Sequence, residues 1–217
     1  MSGYAHFPGI NKKEDIWKLF KSDKFFSFPK KDLLLSWKFK RWLQDKDRSD
    51  NDFNLMIIQA VQRALEMANW QNLAKPTTEY GIYLVTKEGS EMAQLKYFQE
   101  IQKQQPSKHF NPRLLPQLYA NGVLNKLAKQ IMFRGHSLIF WPNDVSVKQI
   151  CAGAVQGMKY HQQKGCLVIM AEESAVNFGV GVVFLERVES AQARGVQSKY
   201  FLQLDAEGRI LFEEKSS

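Results

Sequence analysis

The sequence predicts an α/β fold: a layered mixed sheet with helices on both faces. Segments with apolar residues at helical spacing alternate along the chain with short apolar runs, which is typical of a layered α/β architecture. The run "CLVIMAEES" (166–174) starts with continuous apolar residues, as strands do when both faces of their sheet are covered. The length of 217 residues suits one domain, so we expect residues 1–217 to form a single unit.

The first half of the chain contains the clearest helix. Apolar residues recur at i, i+3, i+4 and i+7 through residues 53–68, which predicts an amphipathic or buried helix. A short strand is predicted at "GYAHFPGI" (3–10) and a buried strand at "YGIYLVT" (80–86). Further helices are predicted at "NKKEDIWKLFKS" (11–22) and "EMAQLKYFQEIQKQQ" (91–105).

The second half alternates helices with strands and ends in a predicted hairpin. Helices are expected at residues 121–135 and 145–165, and a short helical turn at residues 189–195. Strands are expected at residues 136–141, 166–174 and 178–188. The segment "SKYFLQLDAEGRILFEE" (198–214) predicts a hairpin that turns near Glu207 and Gly208.

The chain is basic, with a net charge of +8, and residues 1–50 hold twelve Lys or Arg against seven Asp or Glu. The basic, aromatic segment "KFFSFPKKDLLLSWKFKRW" fits a solvated loop whose rings fold back on the body, or a partner with an acidic surface. We do not expect nucleic acid as a partner. No run is long and apolar enough to cross a membrane, and no signal peptide is visible, so we expect a cytoplasmic protein.

The stretch "FWPNDVSVKQICAGA" (140–154) predicts a strand, a tight polar corner and a helix. Such a junction can expose a nucleophile above a helix N-terminus, where Cys or Ser is expected, but the corner residue here is Asp144. Capping the helix is the simpler role for this carboxylate. Cys151 is an alternative nucleophile, although its place on the apolar helix face favours core packing. No Cys/His grouping has metal-ligand spacing and no glycine pattern predicts a phosphate loop, so we expect neither a metal nor a cofactor.

Several strings resemble the N-terminal half of the β-ketoacyl synthases, the condensing enzymes of the thiolase-like fold. They are "FNPRLLPQLYANGVLNKLAKQIMFRGHSLIFWPND", "QICAGAVQGMKYHQQKGCLVIMAEES" and the most specific one, "GVGVVFLERVESAQARGV". The resemblance spans nearly the whole chain and places Asp144 where the family has its catalytic cysteine. The family's two catalytic histidines belong to a second half-domain, and none of the four histidines here sits in a matching motif. Condensation needs a thiolate and imidazoles, so the resemblance implies a chain that does not catalyse on its own.

The resemblance implies a chain-length-factor-type subunit of an aryl polyene or polyketide system. Such a subunit pairs with a full-length ketosynthase, shapes its acyl pocket and meets an acyl carrier protein. Two alternatives stay open: an acyl or malonyl decarboxylase or acyltransferase that uses Asp144 or Cys151, and a homodimeric acyl-binding scaffold.

The family match also implies where the partner would lie. The helix after Asn121 and the strand "SLIFW" match the family's dimer interface, although helical spacing alone makes Val123, Leu124, Leu127 and Ile131 plain core. An apolar edge strand is an aggregation hazard unless a partner covers it. The candidate interface and acyl-pocket residues are Leu118, Asn121, Leu124, Ala128, Leu138, Ile139, Phe140 and Trp141.

Overall fold

The computed structural model describes residues 3–7, 52–70, 75–86, 91–103, 119–141, 147–173, 178–196 and 200–214. The strands are β1 (Gly3–Phe7), β2 (Tyr80–Val85), β3 (Ser137–Phe140), β4 (Gly165–Glu173), β5 (Phe178–Glu186), β6 (Tyr200–Leu204) and β7 (Ile210–Glu214). The helices are α1 (Asp52–Met67), α2 (Glu91–Lys103), α3 (Ala120–Gln130), α4 (Val147–Tyr160) and α5 (Val188–Ala193). The predicted helix at residues 11–22 lies outside the described residues.

Five strands form one mixed sheet in the order β1-β5-β4-β2-β3. β1 and β4 both run antiparallel to β5, whereas β2 and β4 run parallel, as do β2 and β3. The helices α2 and α3 connect β2 to β3, and α4 connects β3 to β4. The predicted mixed sheet is therefore confirmed, and β3 forms one of its edges in the described part of the chain.

Helices cover both faces of this sheet, as the sequence predicts. Successive side chains of a strand point to opposite faces. On β2, Ile82 and Leu84 therefore join the cluster formed with α1 and α3, while Tyr83 and Val85 join the cluster formed with α4. All four side chains are almost completely buried, which explains why β2 reads as a continuous apolar run.

The β6–β7 hairpin covers part of α4. Leu202 and Leu204 of the hairpin pack against the α4 cluster. Its turn lies where the sequence predicts: Gly208 has a φ of +78°, a conformation that favours glycine. The Asp205 carboxylate accepts backbone N–H bonds from Glu207 and Arg209, at 3.0 and 2.7 Å, which holds the turn closed.

The helix α3 ends at Gln130, earlier than the predicted end at Gly135. Met132 adopts the left-handed conformation, with a φ of +62°, which stops the helix. The following residues instead pair with Thr77, whose N–H donates to the Met132 carbonyl at 2.9 Å and whose carbonyl accepts from the Arg134 N–H at 2.7 Å. Contact with a distant segment thus overrides the local helical pattern.

Candidate functional site

The strand before the predicted corner and the helix after it are both present, whereas residues 142–146 of the corner lie outside the described residues. β3 ends at Phe140 and α4 begins at Val147, so only a short connection separates the strand from the helix. Asp144 belongs to this connection but lies outside the described residues, as does Leu118. The strand and the helix on either side of the corner are therefore confirmed, and the role of Asp144 stays a prediction from the sequence.

Both cysteines of the chain are fully buried free thiols beneath this junction. Cys151 on α4 packs with Ala154 and Val168, and burial raises the pKa of its thiol to about 12. Burial also raises the pKa of Cys166 on β4, and Cys151 adds to the shift. Because the thiolate is the reactive form, neither side chain is available as a nucleophile in the folded chain. This burial favours the core role of Cys151 over its use in an acyltransferase.

β3 presents an apolar edge. Within the described residues it pairs only with β2, with Leu138 opposite Tyr83 and Phe140 opposite Val85. Leu138 is 40% exposed and Trp141, which directly follows the strand, is 59% exposed. In the described residues, the outer backbone groups of β3 have no neighbouring strand, and these two side chains make the edge apolar. Natural sheets normally cover an edge of this kind.

The remaining residues of this edge are half-buried and face opposite sides of the sheet. Ile139 packs against the cluster of α1 and α3. Phe140 packs against the α4 cluster and stacks on Tyr83, with ring centroids 6.2 Å apart and an interplanar angle of 17°. Their side chains therefore anchor the edge strand to the body of this chain, whereas Leu138 and Trp141 offer apolar surface.

The helix α3 turns its apolar residues into the core of its own chain. Leu124 and Ala128 are each 9% exposed, and both belong to the cluster shared with α1 and β2. Val123, Leu127 and Ile131 are buried with them, so the core interpretation of this helix holds for these residues. Of the candidates on α3, Asn121 alone is exposed. The predicted contact of α3 with a partner's tunnel remains a prediction.

The string "GVGVVFLERVESAQARGV" forms β5, α5 and the turn that follows. Arg194 donates two hydrogen bonds to the carboxylate of Glu186, whose side chain is only 1% exposed. The same guanidinium donates to the carbonyls of Ala68 and Asn69, each at 3.1 Å, and lies 4.7 Å from the ring centroid of Trp70. The pair therefore fastens α5 to the end of α1, which is a structural role.

Two histidines that the sequence analysis left unassigned lie together. The rings of His136, just before β3, and His161, just after α4, stack with centroids 3.8 Å apart. No local pattern could have found this pair, because the two residues belong to different segments of the chain. In the described residues no group of three or more His, Cys, Asp or Glu could hold a metal ion, and no helix is long and apolar enough to span a membrane.

No protein-family model and no curated protein sequence matches this chain. Solved structures do match. A type II polyketide synthase acyl-carrier protein in complex with its ketosynthase, bound to the hexaketide, gives a TM-score of 0.67 at 14% identity, over 95% of this chain and 69% of that one. The β-ketoacyl synthase from Burkholderia phymatum STM815 gives 0.64 at 14% identity, over 93% of this chain and 62% of that one.

A third solved structure has the same fold. The ishigamide ketosynthase/chain length factor gives a TM-score of 0.62 at 13% identity. The match covers 95% of this chain and 63% of that chain. This chain thus spans about two thirds of the length of these three solved chains. The element order, the mixed sheet with helices on both faces and these similarities together show that the chain has the thiolase-like fold of the ketosynthases.

Proposed function

We propose that this chain is a non-catalytic, chain-length-factor-type subunit that pairs with a full-length β-ketoacyl synthase and shapes its acyl pocket. The pathway would be of the polyketide or fatty-acid type, with aryl polyene synthesis as one candidate, and the location would be the cytoplasm. The observation that carries the proposal is that the resemblance places Asp144, rather than a cysteine, at the nucleophile position of a chain with the ketosynthase fold.

The chemistry of the corner supports a lack of condensing activity. A carboxylate is a poor acyl acceptor, and its charge repels an anion that develops nearby, whereas condensation requires a thiolate. The two thiols that might replace the missing one are buried and keep their protons. An acyltransferase or decarboxylase that uses Cys151 is therefore disfavoured, and Asp144 is left as the only candidate of that alternative.

The edge strand supports pairing with another protein. An apolar strand edge with Leu138 and Trp141 exposed is expected to recruit a second strand. Among the solved structures that share this fold, one is named as a ketosynthase with a chain length factor and another as a ketosynthase with its acyl-carrier protein. The net charge of +8 suits an acidic carrier protein as a further, transient partner.

The first experiment tests catalysis directly. The purified chain is incubated with acyl- and malonyl-carrier thioesters and analysed by intact-mass spectrometry. We expect no covalent adduct and no decarboxylation, and we expect Asp144→Cys to remain without condensing activity because the chain offers no matching catalytic histidines. An acyl adduct that turns over on Asp144 would overturn the proposal in favour of an acyltransferase.

The second experiment tests pairing through β3. Leu138→Lys is preferable to Ile139→Lys, because Ile139 also packs on the core of its own chain and its replacement would weaken the fold. The matched control is Leu211→Lys, since Leu211 is 48% exposed but lies on the separate β6–β7 hairpin. We expect Leu138→Lys to abolish co-purification with a co-expressed ketosynthase, and Leu211→Lys to leave it intact.

The outcomes of this experiment separate the remaining candidates. A wild-type chain that forms a stable monomer and binds no ketosynthase would refute the pairing. A stable homodimer that Leu138→Lys dissociates, with no affinity for a ketosynthase, would instead support the homodimeric scaffold. If both variants lost binding equally, the result would argue against β3 as the interface.

A further inference from the structure

Four aromatic rings meet at the start of the edge strand, those of Tyr83, His136, Tyr160 and His161. The ring of His136, directly before β3, stacks on the ring of His161, directly after α4, at 3.8 Å between centroids and 19° between planes. On its other side, the Nδ1 atom of His136 lies 3.1 Å from the hydroxyl oxygen of Tyr83 on β2. Tyr160 packs edge-on against His161, at 4.9 Å. This cluster ties the beginning of β3 to the end of α4.

We propose that the stacked pair of His136 and His161 is an acid-sensitive clamp that holds the start of β3 against α4 at neutral pH and loosens when both imidazoles must carry a proton. The clamp is distinct from the proposed pairing, because it concerns the stability of the edge within this chain alone.

The stack tolerates one positive charge better than two. Two positive charges on rings whose centroids lie 3.8 Å apart repel each other, and the repulsion is stronger at a protein surface than in bulk water. A second proton on the pair must enter next to an existing charge, and the charge of His161 lowers the pKa of His136 accordingly.

The surroundings of His136 oppose that second proton. Burial lowers the pKa of His136, and the charge of His161 lowers it further. Burial also raises the pKa of Tyr83 to about 12, with a smaller contribution from Cys166. The Tyr83 hydroxyl therefore keeps its hydrogen and can donate it to Nδ1 of a neutral His136 that carries its own proton on Nε2. An imidazole with a proton on Nδ1 cannot accept this hydrogen, and would instead donate to the Tyr83 oxygen.

No charge in the described residues compensates for protonation of the pair. Neither histidine forms an ion pair with a carboxylate there, and from β4 only Cys166 acts on the cluster, through Tyr83. The charged side chains nearest in the chain are basic: Arg134 near His136, and Lys159 and Lys164 near His161. Lys164 pairs with Glu79 at 2.5 Å.

The sign of the effect follows from the direction of the shift. The pKa of His136 is lower in the folded chain than in the unfolded chain, so the unfolded or locally open state binds more protons as the pH falls. The contribution of the clamp is complete above the ordinary histidine pKa of about 6.5 and is lost as the pH falls from there towards the lowered pKa of His136.

Hydrogen exchange on the whole chain tests the clamp. Protection factors of the peptide that spans residues 134–141 are measured at about pH 7.5 and about pH 5, where one pKa unit corresponds to a tenfold change in an equilibrium. We expect the protection of this peptide to fall roughly threefold to tenfold at the lower pH. The central β4–β5 ladder, measured in the same sample, should not change in this range.

His161→Phe is the matched control variant, because phenylalanine preserves a stacked ring and removes the charge. We expect it to abolish the extra loss of protection at low pH, and to raise the pKa of His136 measured by NMR titration. A wild-type chain with equal protection at both pH values would overturn the proposal, as would His161→Phe with the wild-type dependence on pH. An unchanged His136 pKa in His161→Phe would also overturn it.

Discussion

Removal of the Arg194 side chain should destabilise the folded chain strongly. In Arg194→Ala the carboxylate of Glu186, with a side chain 1% exposed, would lose both of its charged donors. The carbonyls of Ala68 and Asn69 would lose the hydrogen bonds that Arg194 donates, and Trp70 would lose its cation–π contact with Arg194. Breaking a buried pair on one side typically costs about 3–5 kcal/mol.

This magnitude translates into a measurable shift. For a chain of this length about 2–4 °C of melting temperature is lost per kcal/mol, so Arg194→Ala should melt roughly 6–20 °C lower. Urea unfolding followed by circular dichroism gives the free energy directly. The control is the double variant Glu186→Leu/Arg194→Leu, which removes both charges and should cost less than Arg194→Ala. A loss below about 1 kcal/mol for Arg194→Ala, or no coupling between the two positions, would refute the reasoning.

Two further predictions concern the α4 region. Because burial raises the pKa of Cys151 to about 12 and keeps Cys166 protonated as well, neither thiol should react with a disulfide reagent in the native chain, and both should react after denaturation; rapid native labelling would contradict the burial. Gln162 ends α4 with a φ of +53°, so Gln162→Gly should raise the free energy of unfolding by about 0.5–1 kcal/mol, whereas Gln162→Ala should not. Urea unfolding of both variants measures the difference.

The elements that the sequence predicts best are those whose local pattern and tertiary environment agree. α1 is buried along its whole apolar face, from Phe53 to Ala68, and its helical spacing reports that burial directly. β2 and β4 are covered on both faces, so each reads as an unbroken apolar run. The hairpin turn needs a positive φ at position 208, and the glycine at this position predicts the turn from the sequence.

The features that could not be predicted from the sequence depend on contacts between distant segments. The early end of α3 follows from the bridge between Thr77 and Phe133, and nothing in the local sequence marks Met132 as a left-handed residue. The stack of His136 on His161 requires β3 and α4 to be placed first. Resemblance to a family predicts which residue stands at the nucleophile position, but it carries no information on which way a side chain such as Leu124 points.

The apolar residues of α3 are buried in this chain. Only the exposed residues of α3 could therefore set the length of a partner's product. Leu124 and Ala128 are four residues apart, so they lie on the same face of the helix. In the structure this face packs in the core of the chain. Leu124→Ala should therefore lower the free energy of unfolding by about 2–5 kcal/mol, and Ala128→Phe should overpack the core at a cost of about 1–3 kcal/mol. Neither variant can report cleanly on a partner's product.

Asn121 and Asn125 are exposed on the opposite side of the same helix, so their side chains can change without a loss of core packing. In a reconstituted pair with a ketosynthase, Asn125→Leu and Asn121→Leu should preserve the complex, and at least one should shift the distribution of product lengths. The comparison requires equal amounts of intact complex, measured by size-exclusion chromatography. If both complexes are intact and the products are unchanged, α3 serves only as core, because every one of its apolar side chains is already engaged within this chain.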